Sequence, residues 1–163
     1  TDGLPALALS AEKSDEGIMQ RKPRDPKEPP LTMPTYLLII SLGIVMGLGT
    51  LFMFIQYLPQ GIVKAQTIAF TTLVMFEMFA VLGSRSLKPF SKMNPFTNKY
   101  LTLAIISSIS IQIALIYTPL LQIPFGTTPL NMMDWLGIIL ISSLGYIVME
   151  GSKFIGHQQA IKV

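Results

Sequence analysis

The chain has 163 residues, of which 50% are hydrophobic and only 13% are charged, and its mean hydropathy is +0.54. Because a soluble domain carries roughly a quarter charged residues, this composition excludes an ordinary soluble globular domain. Cysteine is absent, which excludes disulfides and thiolate metal sites. The formal net charge of +3 is less informative than the positions of the charges.

Four apolar segments have the length of about 20 residues that crosses a bilayer as a helix. Before them, residues 1–10 are apolar but too short to span, as expected for the end of a truncated helix, and residues 11–34 form a polar, proline-rich loop. We predict a membrane domain over residues 35–156, followed by a tail over 157–163, with spans at about 35–58, 62–84, 100–119 and 132–154. The predicted fold is therefore all-α: a polytopic membrane protein with four transmembrane helices and a truncated N-terminal helix end.

Proline and glycine mark the end of the third span. Pro119, Pro124 and Gly126 disfavour the continuation of a helix, and the loop that follows through Asn131 is uncharged. We therefore expect this segment to connect spans three and four as a loop.

The basic residues lie almost entirely on one side of these spans. Of twelve Lys and Arg residues, five precede the first span, four lie between the second and third or begin the third, and two end or follow the fourth; Lys64 alone lies in the turn between spans one and two. An even number of spans places eleven of the twelve on one side, which the positive-inside rule makes cytoplasmic. We expect an integral, multi-pass protein with both ends of this chain in the cytoplasm.

Glu77 is a carboxylate within the second predicted span, where a buried charge costs free energy. Twelve uncharged residues separate it from Lys64 and seven separate it from Arg85. An ionised group inside the hydrocarbon persists only if it is protonated, paired or bound to a cation. On a helical wheel the residues beside it are only weakly polar, so a partner is expected on a helix outside the four spans or is a cation. The alternative is a protonated carboxyl group that donates to a backbone carbonyl.

The remaining polar residues point to no soluble active site. The single histidine, His157, lies in the polar tail, and neither a phosphate-binding glycine loop nor a nucleophile–base pair is present. The basic loops lack the interleaved aromatic residues of nucleic-acid binders. We therefore expect no catalytic residue, no cofactor-binding residue and no nucleic acid partner for this chain. Asp2, in the apolar N-terminal segment, fits a helix cap or turn when judged from its position alone.

Two groups of residues suggest helix packing. Gly43 and Gly47 have the spacing that lets a second helix approach closely, although a chance pair is an equal alternative. Span three carries polar residues that can bond across helices or to their own backbone carbonyls. They are Ser107, Ser108, Ser110 and Gln112.

Several segments, in order along residues 1–155, resemble the P-type cation-transporting ATPases. TDGLPALAL at residues 1–9 is similar to the end of the family's sixth membrane helix, and IMQRKPRDPKEP at 18–29 to the loop that leads into the seventh. AQTIAFTTLVMFEMFAVLGSRS at 65–86 is similar to the eighth helix, and residues 94–135 to the ninth helix, its outer loop and the start of the tenth.

The resemblance implies that the spans are helices seven to ten of a ten-helix pump, type II and calcium-pump-like, in which ATP hydrolysis through an aspartyl-phosphate drives cation transport. It implies a metal role for Asp2, Glu77 and Thr1, which match the positions of calcium ligands in the family. Calcium takes several hard oxygen ligands, and buried acids can release it in exchange for protons. Many relatives carry another residue at the position of Glu77, so a glutamate there favours calcium, and sodium or manganese are the other candidate ions because acidic ligands suit them equally.

The resemblance also implies partners. ATP and Mg²⁺ belong to the full-length pump only, since the phosphorylated Asp and the nucleotide-binding domain are not in this sequence. The partners are the lipid bilayer and the remaining helices and cytoplasmic domains of the same pump. The loop over 11–34 would contact the phosphorylation domain, with Arg24 and Asp25 as candidate contacts.

Glu150 matches a position where relatives carry an acid before a lysine, and a surface acid beside Lys153 is its simpler interpretation. A different class also fits the four spans and the charge asymmetry: a stand-alone four-helix membrane scaffold, subunit or carrier with no link to an ATPase. That alternative leaves the TDGLPA start unexplained.

Overall fold

The computed structural model describes residues 3–11, 33–84 and 98–160, with side chains as far as Ser152 and without that of Pro34. These residues are almost entirely helical, and no strand occurs among them. The helices are α1 (Gly3–Ser10), α2 (Met33–Tyr57), α3 (Ile62–Ser84), α4 (Lys99–Tyr117), α5 (Pro119–Phe125) and α6 (Met132–Ala160), with a single 3₁₀ turn at Leu58–Gln60.

Four of these helices are long and apolar enough to cross a membrane, which confirms the predicted all-α polytopic fold. Their candidate spans are Thr35–Gln60, Ile62–Ser84, Lys99–Tyr117 and Met132–Ser152. The first is the least covered by the rest of the chain, and large apolar side chains such as Ile40, Ile44 and Leu48 are exposed along it. Such a surface is suited to lipid or to other membrane helices, because neither requires polar groups.

The segment after the third span differs from the expected loop, because the chain turns helical again at once. Thr118 is extended, and Pro119 then opens α5, where its fixed φ fits a helix start and its missing N–H removes no bond. Pro124 lies inside this short helix, and α5 ends only at Gly126, whose φ of 60° is left-handed. Pro119 thus interrupts the helix and starts the next one.

Side chains of the segment between α4 and α6 donate to carbonyls that the helix break at Thr118 leaves without a backbone donor. Gln122 Nε2 donates to the Ile116 carbonyl at 2.6 Å, and Thr127 Oγ1 donates to the Leu115 carbonyl at 2.5 Å. Both carbonyls belong to the last turn of α4, which has no further helical amides to accept from. The connection is therefore folded against α4.

The bundle has two sides, which we name by its connections. The turn side carries Leu58–Gln60 and the segment from Thr118 to Asn131, and the terminal side is opposite. Helices α3 and α6 both begin on the turn side and pack along each other, while α2 packs against both. The α4 helix runs antiparallel to α3, and α1 packs against α4 on the terminal side.

The main core lies where α2, α3 and α6 meet. Phe76 is fully buried, and an added Cβ at Gly49 would lie 2.7 Å from its ring while one at Gly145 would lie 2.9 Å from it. Glycine at both positions is required by the close approach of α2 and α6 to this ring. Gly43 and Gly47, by contrast, have no neighbouring atoms within 4 Å of an added Cβ among the described residues.

Polar side chains inside α3 and α4 are bonded locally or to each other. Thr67, Thr71 and Thr72 each donate to the carbonyl four residues earlier. Gln112 Nε2 on α4 donates to Thr71 Oγ1 at 3.0 Å, and both residues are at most 2% exposed. Both predicted modes therefore occur in α4, because Ser107 and Ser110 donate to carbonyls of their own helix while Gln112 bonds across.

Candidate cation site

Glu77 lies in α3 at the border between the buried and the exposed face of that helix. Its neighbours Phe76 and Met78 are buried, whereas Phe70, two turns earlier, is 41% exposed and Leu73, one turn earlier, is 39% exposed. The residue is half-buried and its Oε2 atom is shielded from solvent. The carboxyl group therefore lies at the edge of a face on which Phe70 and Leu73 are exposed among the described residues.

The terminal-side packing brings α1 close to the part of α3 that carries Glu77. Ala8 of α1 forms a buried cluster with Leu101 and Ala104 of α4, and Val81 of α3 packs against it. Val81 follows Glu77 by four residues, a rise of about 6 Å along the helix. Both α1 and the second half of α3 are thus held by the same stretch of α4.

The direction of α1 then determines which of its residues is level with Glu77. Its C-terminal turn contacts the start of α4, since Asn98 Nδ2 donates to the Ala8 carbonyl at 3.0 Å. Towards its N-terminus, Leu4 shares an apolar groove with Leu103 and Ser107, further along α4. Gly3, the first residue of α1, therefore lies deeper in the bundle than Ala8, on the same side of the cluster as Glu77.

The other two candidate ligands, Asp2 and Thr1, lie outside the described residues, immediately before α1. Arg24, Asp25 and the rest of the loop over 12–32 lie outside them too. So do the side chains of His157 and of Lys153, the proposed partner of Glu150. Within the described part, Glu150 is half-buried and lies one turn after Tyr146, with which it interacts electrostatically.

A complete metal site does not occur in the described part of the chain. No three His, Asp or Glu side chains come together there. Calcium takes about six to eight oxygen ligands, so Glu77 can supply only part of such a set. The open face beside it is where further ligands would have to approach.

Two polar arrangements were not anticipated from the sequence. Lys64 and Asp134 form an ion pair on the turn side, with 3.0 Å between Nζ and Oδ2. Asn98 caps α4 and bonds to α1 at the same time. The pattern Asn131-x-x-Asp134 before an apolar run is a helix-start signature, which indicates that Asp134 helps to cap α6 but does not indicate its pairing with Lys64. Nothing in the sequence predicts the second.

The family model for the C-terminus of cation transporting ATPases matches residues 1–155 of this chain. The chain belongs to this family. The match begins before α1 and ends within α6, so it covers the described bundle except for residues 156–160. Membership argues against a stand-alone scaffold with no ATPase link, and it confirms the resemblance to the cation-transporting ATPases.

Individual relatives agree with the family. The chain is 37% identical to a calcium-transporting ATPase of Bacillus subtilis over 93% of its length, and 31% identical to calcium-transporting ATPase 1 of Yarrowia lipolytica over 94%. It is 34% identical to the human calcium-transporting ATPase type 2C member 1 over 91%. The chain spans only 16–17% of the length of these relatives.

Proposed function

We propose that this chain is the C-terminal membrane portion of an ATP-driven calcium pump and contributes part of its ion-binding site. The observation that carries the proposal is Glu77, a carboxyl group placed within a membrane helix at the edge of an open face. The calcium-transporting relatives support calcium as the transported ion. ATP and Mg²⁺ would act on cytoplasmic domains of the full-length protein.

In this proposal Glu77, Asp2 and Thr1 are the metal ligands that the chain supplies. Asp2 and Thr1 immediately precede α1, whose N-terminal end points to the same side of the α4 cluster as Glu77. Carboxylate and hydroxyl oxygens are hard ligands suited to calcium. The other ligands would come from helices that pack on the open face of α3, where Phe70 and Leu73 are exposed.

The proposed orientation places both ends of the chain in the cytoplasm and the turn side outside. It rests on sequence positions: eleven basic residues precede the first span, separate the second from the third, or end or follow the fourth, whereas Lys64 alone lies at the turn between the first and second. The loop over 11–34 would then contact the phosphorylation domain, with Arg24 and Asp25 as contacts. A cysteine introduced at Thr128 in the full-length pump should react with an impermeant reagent from outside only.

The test of the ion site is Glu77→Gln in the full-length pump. Glutamine keeps the shape of the side chain and removes its charge, so the calcium concentration that half-activates ATP hydrolysis should rise at least about tenfold, because charge-assisted bonds contribute more than the 1.4 kcal/mol of that factor. Glu150→Gln, at the edge of the bundle, is the matched control and should leave activation unchanged.

The same preparation identifies the ion. ATP hydrolysis should be stimulated by micromolar calcium, with manganese and sodium assayed in parallel. Stimulation by sodium or manganese with calcium inert would refute the calcium assignment. Equal calcium activation of wild type and Glu77→Gln would refute the role of Glu77.

A further inference from the structure

Asn98 joins two helices through the two ends of one carboxamide. Its Oδ1 accepts from the Leu101 amide at 3.0 Å and so caps the N-terminus of α4. Its Nδ2 donates at 3.0 Å to the carbonyl of Ala8, in the last turn of α1 and 90 residues away in the chain. Asn98 is 6% exposed, so both bonds are sheltered from competing water.

The bond to Ala8 uses a carbonyl that helix geometry leaves available. The last four carbonyls of an α-helix have no amide partner within the helix, and α1 ends at Ser10. The Ala11 amide approaches the same Ala8 oxygen at 3.3 Å. Asn98 therefore caps the start of α4 and the end of α1 together, and fixes the height of one helix against the other.

Packing behind the bond keeps the two helices close. Ala8 and Ala104 are both small and are 8% and 7% exposed, and Leu101 is 1% exposed. The outward side chains of α1 make little contact, since Leu4 and Leu7 are 51% and 70% exposed. Among the described residues, the bond from Asn98 is the one hydrogen bond between α1 and another helix.

We propose that Asn98 is a positioning residue for the cation site: by holding the end of α1 on α4, it sets the position of the start of α1, the helix that Thr1 and Asp2 precede in the sequence, relative to Glu77. This inference rests on the proposed function of those three residues. The second half of α3 is held by the same cluster through Val81, so α4 is the common reference for both ligand-bearing elements. Among the described residues, the other contacts between α1 and α4 are apolar.

The two roles of Asn98 can be separated by substitution. Aspartate and serine are both good N-caps, but neither replaces the bond to α1: the ionised carboxylate has no donor, and the serine hydroxyl is on a shorter side chain. Asn98→Asp and Asn98→Ser should therefore keep α4 capped and release α1. Asn131→Ser is the matched control, because Asn131 caps α6 through its Oδ1 and the Asp134 amide at 3.0 Å.

The experiment uses the full-length pump and two measurements: equilibrium calcium binding, and hydrogen–deuterium exchange of the segment 3–10. Both Asn98 variants should bind calcium about tenfold more weakly, the factor expected for one lost hydrogen bond. They should also exchange faster in α1 and not in α6. Asn131→Ser should match wild type in calcium binding and in α1 exchange.

Unchanged calcium binding in both Asn98 variants would overturn the proposal, as would an equal loss in Asn131→Ser. Failure of the Asn98 variants to accumulate, with Asn131→Ser accumulating normally, would also overturn it, because it would indicate a general folding role. Asp2→Asn and Glu77→Gln are measured alongside. If those two bind calcium normally, the proposed function itself fails; if they do not and the Asn98 variants do, only the positioning role fails.

Discussion

Lys64 and Asp134 form an ion pair on the turn side, where α3 and α6 both begin. The Asp134 side chain is 4% exposed and Lys64 20%. Asp134 Oδ2 also accepts from the Asn131 amide at 2.9 Å, which closes a capping box with the Asn131 Oδ1 bond. Lys64 further donates to Gln60 Oε1 at 2.9 Å and lies 5.5 Å from the centroid of the Tyr57 ring. The Asp134 carboxylate therefore caps the start of α6 and, through Lys64, links α6 to α3 and to the turn at Leu58–Gln60.

Substitutions of Asp134 should separate its charge from its capping role. Asp134→Asn keeps an oxygen for the Asn131 amide but removes the charge opposite Lys64, so we expect a loss of about 1–3 kcal/mol of stability. Asp134→Ala also removes the cap and should cost about 1 kcal/mol more. The measurement is thermal inactivation of the solubilised full-length pump, with the order wild type, Asn, Ala.

Substitution of Lys64, the partner of Asp134, provides the control. Lys64→Met alone leaves a buried carboxylate without its cation, and adding Asp134→Asn to it should recover part of the lost stability, because no uncompensated charge remains. An additive double variant would contradict the ion pair as a stabilising contact. Equal losses in Asp134→Asn and Asp134→Ala would contradict the capping box.

The bond between Thr71 and Gln112 predicts that substitution of its two partners lowers stability by different amounts. Thr71→Val leaves the buried Gln112 Nε2 without its acceptor, which costs about 1–3 kcal/mol. Gln112→Leu leaves Thr71 satisfied, since its hydroxyl donates to the Thr67 carbonyl at 2.7 Å. It also removes Gln112 Oε1, a buried atom with no hydrogen-bond partner among the described residues. We therefore expect Gln112→Leu to be the milder change.

Thermal inactivation of the two single variants and the double variant checks this asymmetry. The coupling between the two residues should be about 0.6 kcal/mol, the usual value for a hydrogen bond between membrane helices. Thr72→Val is the matched control, because Thr72 bonds only to the Ile68 carbonyl of its own helix. A larger loss in Gln112→Leu than in Thr71→Val would contradict the assignment.

The proposed coupling loop is tested by Arg24→Ala in the full-length pump. If Arg24 contacts the phosphorylation domain, phosphorylation by ATP should persist while transport per ATP hydrolysed falls, because the motion no longer reaches α1. Lys22→Ala, a neighbouring cation of the same loop, is the control. Normal phosphorylation and normal transport in Arg24→Ala would exclude the coupling role of that residue.

The sequence was sufficient for the features that depend on composition and length. Four spans follow from apolar runs about as long as a bilayer is thick, and Glu77 stands out because a carboxyl group inside one of them is costly. The positions of ligands relative to Glu77 could not be predicted, because they depend on packing between α1, α3 and α4, which are far apart in the chain. The double role of Asn98 is of this kind: its bond to Ala8 spans 90 residues.

The spacing of glycines likewise did not predict which glycine contacts a neighbouring helix. The spacing of Gly43 and Gly47 suggested a helix contact, whereas among the glycines of α2 it is Gly49 that a neighbouring helix approaches closely, beside Phe76. Spacing identifies small residues that share a helix face, but only the neighbouring helix decides which one is covered. The same holds for Pro119, which ends α4 and yet opens α5.

Gly49→Ala should therefore destabilise the bundle. The added Cβ would lie 2.7 and 2.9 Å from atoms of the Phe76 ring and 3.1 Å from Ile141 Cγ2. The ring is fully buried and cannot move aside freely, so we expect a loss of about 1–3 kcal/mol despite the better helix propensity of alanine.

Gly137→Ala is the matched control for this prediction. It lies within α6, and its added Cβ would meet Met53 Cε at 3.5 Å and the Tyr57 hydroxyl at 3.8 Å, which are ordinary contacts. Its temperature of thermal inactivation should equal or exceed that of wild type, because alanine favours the helix by up to about 1 kcal/mol. Equal inactivation temperatures for Gly49→Ala and Gly137→Ala would mean that α2 does not pack on Phe76 in the pump. If α2 does pack there, adding Phe76→Leu to Gly49→Ala should restore stability.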